Sequence, residues 1–461
     1  MQGSDAGVRP LSNMSLACVA YNTTATLSSL DHFDDALFGE NGLEPSRVVI
    51  ASIGAYLITT LSVAAGIGGG GLLVPLYFVG LGVDQTQAVS LSKGTIFGVA
   101  MGNFFYIARQ RHPKADRPLI DYPMACFMQG GELMGVVLGV LLNLLLPQIV
   151  IITISAVVLG YNSYKTLQKA VSKYKAESKA MTASKAGTAS SATKAAPSSS
   201  YSSTDSSATV EIMAEAELSS AILAEQAVAF PLWAWALLLP MMAFFILYSL
   251  LLGKVFDPKF TNCVPGYWPA YAAPFVFYGA TTFYMARRNV RMGDRMREAG
   301  LHHMAGDIVW TRGAALMLVP AAIGAGVAAG LLGIGGGMII GPIFVALELQ
   351  PQVGTATTGF MVLFTALGGA IKYLTLGKLP WRFFLWFGGL GALGGQTGQR
   401  LIAKLIKRTG RPSYVVFILG GIIGAAVVIM TIFGVLKAVE EARCGVDIWE
   451  VTTEQFLCIG H

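Results

Sequence analysis

The chain has 461 residues, of which 54% are hydrophobic and only 13% are charged, and its mean hydropathy is +0.59. Soluble proteins carry roughly 25% charged residues, so the composition excludes an ordinary soluble domain and predicts a polytopic membrane protein. The net charge of +6 does not indicate nucleic-acid binding, because the basic residues lie in short loops beside apolar segments. The five cysteines show no metal-binding spacing, and we expect neither a metal nor a cofactor.

The N-terminal third contains a polar segment and a first apolar block. Residues 1–45 are assigned to an extracytosolic N-terminus, without the basic start and apolar core of a cleavable signal peptide. The first transmembrane repeat is assigned to 46–167, with membrane spans predicted at 48–65, 86–108, 120–145 and 148–164. A further apolar piece at 72–82 has 11 residues, too few for a perpendicular crossing. This piece is either half of a broken helix or a re-entrant segment.

The rest of the chain contains a polar loop, two linking spans and a second apolar block. Residues 168–228 are rich in Lys, Ser, Ala and Thr, cannot bury enough apolar surface, and are predicted to form a disordered cytosolic loop. Two linking spans and a basic loop follow in 229–312, a second repeat in 313–436 and a polar tail in 437–461. The remaining predicted apolar segments are 230–252, 268–286, 313–331, 338–348, 354–376, 381–402 and 413–436. The fold is thus predicted to be all-α with about twelve apolar segments, or ten if the short ones are re-entrant.

A glycine-rich motif occurs once in each apolar block. The segment Gly66–Pro75 returns, without a gap, as Gly333–Pro342, and flanking residues align at the same offset of 267 positions, which indicates an internal duplication. A glycine run cannot hold a straight helix inside an apolar span. Unwound backbone at membrane depth is tolerated only where it is packed in protein or lines a cavity. Breaks at corresponding positions of two halves therefore predict a transport site near the membrane midplane.

The loop charges predict the orientation of the spans. With the N-terminus outside and each short piece counted as a crossing, the basic loops at 109–117, 168–228, 287–312 and 404–411 all face the cytosol. The two copies are then inverted. The re-entrant alternative places the 404–411 loop outside, against the charge rule. Cys18, Cys263, Cys444 and Cys458 fall on the outer side in the favoured orientation, where disulfides are allowed.

The second copy carries Gly333–Gly337, then the threonine-rich Val353–Thr358, then Leu363–Gly369. In this order the three stretches resemble the TauE/SafE family, and the first copy is similar, with Ala88–Lys93 in place of the threonines. The resemblance covers both apolar blocks. It implies a membrane carrier that exports sulfite, sulfoacetate or a related organosulfur anion.

Several residue types in the two copies suit anion binding. Each glycine break exposes backbone N–H groups at a helix start, where the dipole favours an anion; alternatively, the glycines only permit close helix packing. Hydroxyl groups donate hydrogen bonds without adding fixed charge; alternatively, they bond to their own helix backbone. The candidate substrate-binding residues are Gly68, Gly69, Gly70, Ser90, Ser92, Lys93, Gly335, Gly336, Gly337, Thr355, Thr357 and Thr358. Further candidates for lining the site are Asn103, Gln129 and Gln396.

Two charged residues lie inside predicted spans. A central lysine costs roughly 2.5–3.5 kcal/mol on insertion scales, so Lys93 should face a cavity or a partner. It either attracts the anion, pairs with Glu132, or extends to the membrane surface. Glu132 either takes up a proton coupled to anion movement or is a structural acid. The position that matches Lys93 is Phe360, so any role of Lys93 is asymmetric; Lys372, near a span end, is expected to extend to the surface.

Three functions are compatible with these patterns. The leading one is a secondary transporter that moves a small anion, such as sulfite or an organosulfonate, by alternating access, since no ATP-binding loop is present. A passive anion channel is the second, and a membrane scaffold or trafficking adaptor acting through 168–228 is the third. A catalytic role is not expected. The partners are a small anion and membrane lipid, in a plasma membrane or an endomembrane, and the oligomeric state stays open.

Overall fold

A computed structural model of the chain describes residues 45–63, 69–112, 115–186, 224–225, 227–253, 267–298, 308–347, 349–409 and 413–443. In these residues the structure is helical, apart from one isolated bridge between Arg111 and Pro118. The helices of ten or more residues in the described part are α1 (Pro45–Ser62), α2 (Gly70–Gly80), α3 (Gln85–Ile107), α4 (Tyr122–Leu145), α5 (Gln148–Ala186), α6 (Leu232–Leu252), α7 (Tyr267–Glu298), α8 (Arg312–Leu332), α9 (Gly337–Ala346), α10 (Pro351–Thr375), α11 (Trp381–Thr409) and α12 (Ser413–Arg443). Each of these helices begins within three residues of the start of a predicted apolar segment.

Five of these helices are long and apolar enough to cross a membrane, judged by length and composition. They are Tyr122–Leu145, Gln148–Ser172, Leu232–Leu252, Arg312–Leu332 and Gln352–Thr375. The all-helical architecture of the described residues confirms the predicted class and fits a polytopic membrane protein.

Four helices extend further than their apolar segments, and one of them is α11, which continues to Thr409 beyond the predicted end at 402. α5 continues to Ala186, so the prediction of disorder from residue 168 onward does not hold for 168–186. The sequence of this extension is rich in Ala, Lys and Glu, which are strong helix formers in water. α7 likewise continues to Glu298, and α12 continues to Arg443, beyond the predicted end at 436. Residues 187–223, the N-terminal segment 1–44 and the four predicted outer cysteines lie outside the described residues.

Glycines bring two pairs of helices into backbone contact. On α4, a methyl group at Gly135 or Gly139 would overlap the carbonyl oxygens of Ile323 and Val327 on α8. On α3, a methyl group at Gly98 or Gly102 would overlap α11 in the same way. Small residues let membrane helices approach closely and gain van der Waals contact. The bundle is therefore built around two tightly joined pairs, α4 with α8 and α3 with α11.

The contacts also set the relative directions of the helices. Residue numbers rise together along α3 and α11, and along α4 and α8, so both pairs are parallel. In contrast, α3 is antiparallel to α10, its counterpart at the offset of 267, and α5 is antiparallel to α12. The contacts that define the antiparallel pairs are Lys93 with Gly369, Asn103 with Gly359, Ile152 with Gly434, and Leu167 with Gly420.

Candidate functional site

The two glycine breaks touch each other. Gly70 begins α2, and a methyl group on it would lie 2.6 Å from the carbonyl oxygen of Gly333 and 2.7 Å from Cα of Ile334. Gly69 and Gly333 adopt φ values of 81° and 68°, which side chains other than glycine rarely accept. The close approach and the backbone conformation both require glycine at this junction. Gly68 lies outside the described residues.

The break before α9 faces a carboxyl group of the protein. A methyl group on Gly336 would overlap Oε1 of Glu132, so this oxygen lies directly against the break. The first turn closes when the N–H groups of Met338 and Ile339 donate to Gly335 and Gly336 at 3.0 Å each. The earliest N–H groups of a helix have no partner within it, and the helix dipole favours negative charge there. In this structure the group at that end is the Glu132 carboxyl.

Thr365 of α10 holds the other oxygen of that carboxyl. Its Oγ1 lies 2.6 Å from Glu132 Oε2, and Gln129 Nε2 donates to the same hydroxyl oxygen at 3.3 Å. Oε1 of Glu132 and Oε1 of Gln129 are buried without a hydrogen-bond partner. Thr365 belongs to the stretch Leu363–Gly369 that carries the family resemblance, yet it was not among the predicted site residues. Thr365 lies four residues before Gly369, so both residues are expected on the same face of the helix, and this spacing was the available signal.

Lys93 completes the group. Its side chain is fully buried, and its Nζ has no hydrogen-bond partner. The stem packs on α10, where a methyl group on Gly369 would lie 3.0 Å from Cδ of Lys93. Lys93 and Glu132 contact α10 one turn apart, at Gly369 and Thr365, and do not form a direct hydrogen bond with each other. Lys93 therefore does not extend to the membrane surface. We call Lys93, Gln129, Glu132 and Thr365 the central polar cluster.

Among the predicted hydroxyls, Ser92 is the one that bonds to a described glycine break. Ser92 Oγ donates to the carbonyl of Gly333 at 3.0 Å, next to the contact with Gly70. Thr358 donates to its own helix, at the carbonyl of Gly354, and Thr355 is half-buried with its carbonyl accepting from Thr358. Ser92 thus lies at the junction of the breaks, and Thr355 and Thr358 take part in local helix contacts.

Ser90 and Thr357 hold loops in matching ways. Ser90 Oγ donates to the carbonyl of Lys378, just before α11, at 2.9 Å. Thr357 Oγ1 accepts from the N–H of Asp121, just before α4, at 3.0 Å. The two residues correspond at the offset of 267, and each holds the loop that precedes a helix of the other copy, α11 or α4. In this conformation both hydroxyls therefore form hydrogen bonds that fix the backbone of a loop.

The remaining candidates divide between the interior and the surface. Gln396 is exposed on α11, so it does not line the interior, because that face of the helix points away from the bundle. Asn103 accepts from Gln399 at 2.8 Å. Lys372 is buried and lies over the ring of Tyr248 at 4.6 Å, so the expectation that it extends to the surface is wrong. The aromatic face accounts for its position. Gly335 and Gly337 flank Gly336 and are buried.

The internal duplication does not repeat the central polar cluster. The positions that correspond to Lys93 and Thr365 are Phe360 and Gly98. The loop before α4 is longer than the loop before α11, so that Tyr122 aligns with Trp381, and the position that corresponds to Glu132 is then Gly391. Phe360 lies inside an aromatic group, with ring centroids at 5.2 to 5.8 Å from its neighbours. These neighbours are Phe104, Tyr122, Trp235 and Phe364. Of the two sets of positions that align in the sequence, one is therefore polar, and the other is occupied by aromatic rings and close helix contact.

Comparisons with known proteins agree with this architecture. The family model described as "Sulfite exporter TauE/SafE" matches residues 212–427. "Sulfite exporter TauE/SafE family protein 3" of Arabidopsis thaliana is 26% identical over 415 residues, 86% of this chain and 80% of that protein. "Sulfite exporter TauE/SafE family protein 1" of the same plant is 28% identical over 420 residues, 89% of each chain. No solved structure matches the chain. The matches and the apolar helices together indicate a multi-pass integral membrane protein that is similar to members of the TauE/SafE family.

Proposed function

We propose that the protein is a secondary transporter, built from two inverted repeats, that moves a small anion by alternating access. The antiparallel arrangement of α3 with α10 and of α5 with α12 supports the inversion. The contact between the two glycine breaks supports a single site at their junction. The names of the relatives support sulfite or an organosulfonate as the anion. The basic loops support a cytosolic position for the helix ends that they connect, and an N-terminus on the opposite side of the membrane.

The observation that carries the proposal is the unsatisfied chemistry of the central polar cluster. The ammonium of Lys93 is fully buried without a hydrogen-bond partner, and so is Oε1 of Glu132. Burying such a charge costs several kcal/mol unless it is paired and hydrogen-bonded. A purely structural ion pair would close this gap with a direct contact. An oxyanion between Lys93 and the start of α9 would satisfy both the ammonium and the helix N–H groups.

Glu132 gives this site a means of coupling to protons. As a carboxylate, Glu132 occupies the N-terminus of α9 and repels an incoming anion. When it takes up a proton, the repulsion disappears, and the ammonium of Lys93 attracts the anion to the same place. Anion entry and proton uptake then occur together. Thr365, which contacts Oε2, keeps the carboxyl in position during this exchange.

The close helix pairs supply the moving parts. α3 with α11 and α4 with α8 are joined by glycine contacts too tight to slide, so each pair moves as one unit. The central polar cluster lies between these units, contributed by α3, α4 and α10. Its members are buried in this conformation, which corresponds to an occluded state. Rocking of one pair against the other would expose the cluster to one side at a time.

Flux measurements in proteoliposomes test the proposal. We expect the purified chain to take up sulfite or an organosulfonate, with a rate that depends on the pH gradient. Lys93→Met should abolish uptake, and Glu132→Gln should retain uptake without the pH dependence. The control variants are Lys404→Gln and Glu298→Gln, which remove the same charges from exposed positions.

Two outcomes would contradict the proposal that the protein is a transporter. One is the absence of anion-dependent uptake with sulfite, sulfonates and sulfate, from protein that is folded and inserted. The other is a unitary current far above the turnover of a carrier in electrical recordings, which would identify a channel. Unchanged uptake in Lys93→Met would remove the central polar cluster from the mechanism.

A further inference from the structure

A large groove runs along the outside of the bundle, away from the central polar cluster. α7 and α8 form its walls, and Gly131 and Met134 of α4 form its floor. Its volume is about 780 Å³. The space beside Gly279 is open, since a methyl group on this residue would meet no atom within 4 Å. The groove therefore has room for an extended molecule beside the bundle.

The walls of the groove are apolar where they would meet the hydrocarbon of the membrane. Leu316 of α8 is 74% exposed and Phe283 of α7 is 57% exposed, and both line the groove. Side chains of this kind favour a hydrocarbon chain as occupant.

One end of the groove is positively charged. Arg287 and Arg291 near the end of α7 and Arg312 at the start of α8 line it together. Among the described residues, none of the three forms an ion pair. Asp294 also lines this end, but its carboxylate is paired with Arg297 at 2.6 Å. The charge that remains at this end is positive and suits a phosphate group.

A buried polar group also lines the groove, next to Phe283 on α7. Thr282 lines the groove, is 6% exposed, and its Oγ1 has no hydrogen-bond partner. A buried hydroxyl without a partner is costly, and a bound molecule with oxygen acceptors would satisfy it. The oxygens that join a phosphate to its acyl chains have this chemistry.

We propose that this groove binds one anionic phospholipid, with its phosphate at Arg287, Arg291 and Arg312 and an acyl chain along α7 and α8. The three features match the three parts of such a lipid: guanidinium groups for the phosphate, a hydroxyl for the glycerol oxygens, and an apolar channel for the chain. Basic pockets between membrane helices bind lipid headgroups by the same complementarity. A soluble phosphate lacks the chain that the groove accommodates.

The lipid that remains bound to the purified full-length chain tests this proposal. The chain is incubated in detergent with phosphatidylglycerol, or with phosphatidylcholine of the same acyl chains, and bound lipid is counted by native mass spectrometry. We expect one phosphatidylglycerol to remain bound and phosphatidylcholine to be lost. Arg291→Gln should lower retention by about fivefold, the order expected for one basic contact near a headgroup. Arg295→Gln, on the same helix outside the groove, should leave retention unchanged.

A second variant tests the acyl channel without disturbing the fold. Gly279→Leu fills open space and raises helix propensity, so we expect a stable protein that no longer retains the lipid. Gly324→Leu is the matched control, because its side chain also enters open space, outside the groove. Equal retention of the two lipids, or unchanged retention in Gly279→Leu, would overturn the proposal. Displacement of phosphatidylglycerol by soluble glycerol phosphate, or a change of oligomeric state in Gly279→Leu, would overturn it as well.

Discussion

The contact between the two glycine breaks can be tested with one methyl group. In Gly70→Ala the new methyl would lie 2.6 Å from the carbonyl oxygen of Gly333 and 2.7 Å from Cα of Ile334. Ordinary contacts of this kind begin at about 3.4 Å, and because both neighbours are backbone atoms, they cannot rotate away. Overpacking of this kind costs about 1–3 kcal/mol. This corresponds to a factor of about 5 to 150 in the ratio of folded to unfolded protein.

Gly71→Ala is the matched control, because it adds the same methyl group one residue later. That methyl would lie 2.7 Å from Cε of Met338 and 2.7 Å from Cδ2 of Leu159, the flexible ends of two side chains. We expect its cost to be well below that of Gly70→Ala. Unfolding of the two variants in a denaturing-detergent titration, followed by tryptophan fluorescence, measures the difference. Equal stability of Gly70→Ala and the wild type would show that the breaks do not touch.

Two further predictions concern the contacts around Glu132. Thr365→Val keeps the shape of the side chain but removes the hydroxyl at Glu132 Oε2, so we expect a loss of about 1.5–3 kcal/mol in the same titration; an unchanged midpoint would contradict the contact. Gly326→Ala should prevent the close packing of α4 and α8, since its methyl would overlap the backbone carbonyl of Glu132, whereas Gly324→Ala enters open space and should be neutral. Comparable yields of folded protein from these two glycine variants would argue against the tight α4–α8 pair.

Much of the helical architecture could be predicted because it depends on local composition. Apolar runs separated by charged loops predicted every described helix, with starts within about three residues of those observed. The ends of α5, α7, α11 and α12 were missed because hydropathy indicates where a chain meets lipid, whereas a helix of strong helix formers continues into water.

The candidate site was predictable in part. Lys93 and Glu132 stood out because charged residues are rare and costly inside apolar spans. Thr365 did not stand out, since threonines are common in membrane helices and usually bond to their own backbone. Thr357 was selected from the sequence, and its hydroxyl accepts a hydrogen bond from the loop before α4; its role in substrate binding stays a prediction. Which threonine faces another helix depends on helix rotation, and the sequence carries little signal for that.

The sequence by itself indicated the membrane class, the two glycine motifs and the isolated charges, because each of these is a property of a short stretch of chain. The tertiary structure decided that Gly70 meets Gly333, that Glu132 lies against Gly336, and that the polar cluster occurs on one side of the duplicated core. These contacts join residues that are tens to hundreds of positions apart in the chain. They arise from the close approach of helices at glycines, which is a property of the packed bundle.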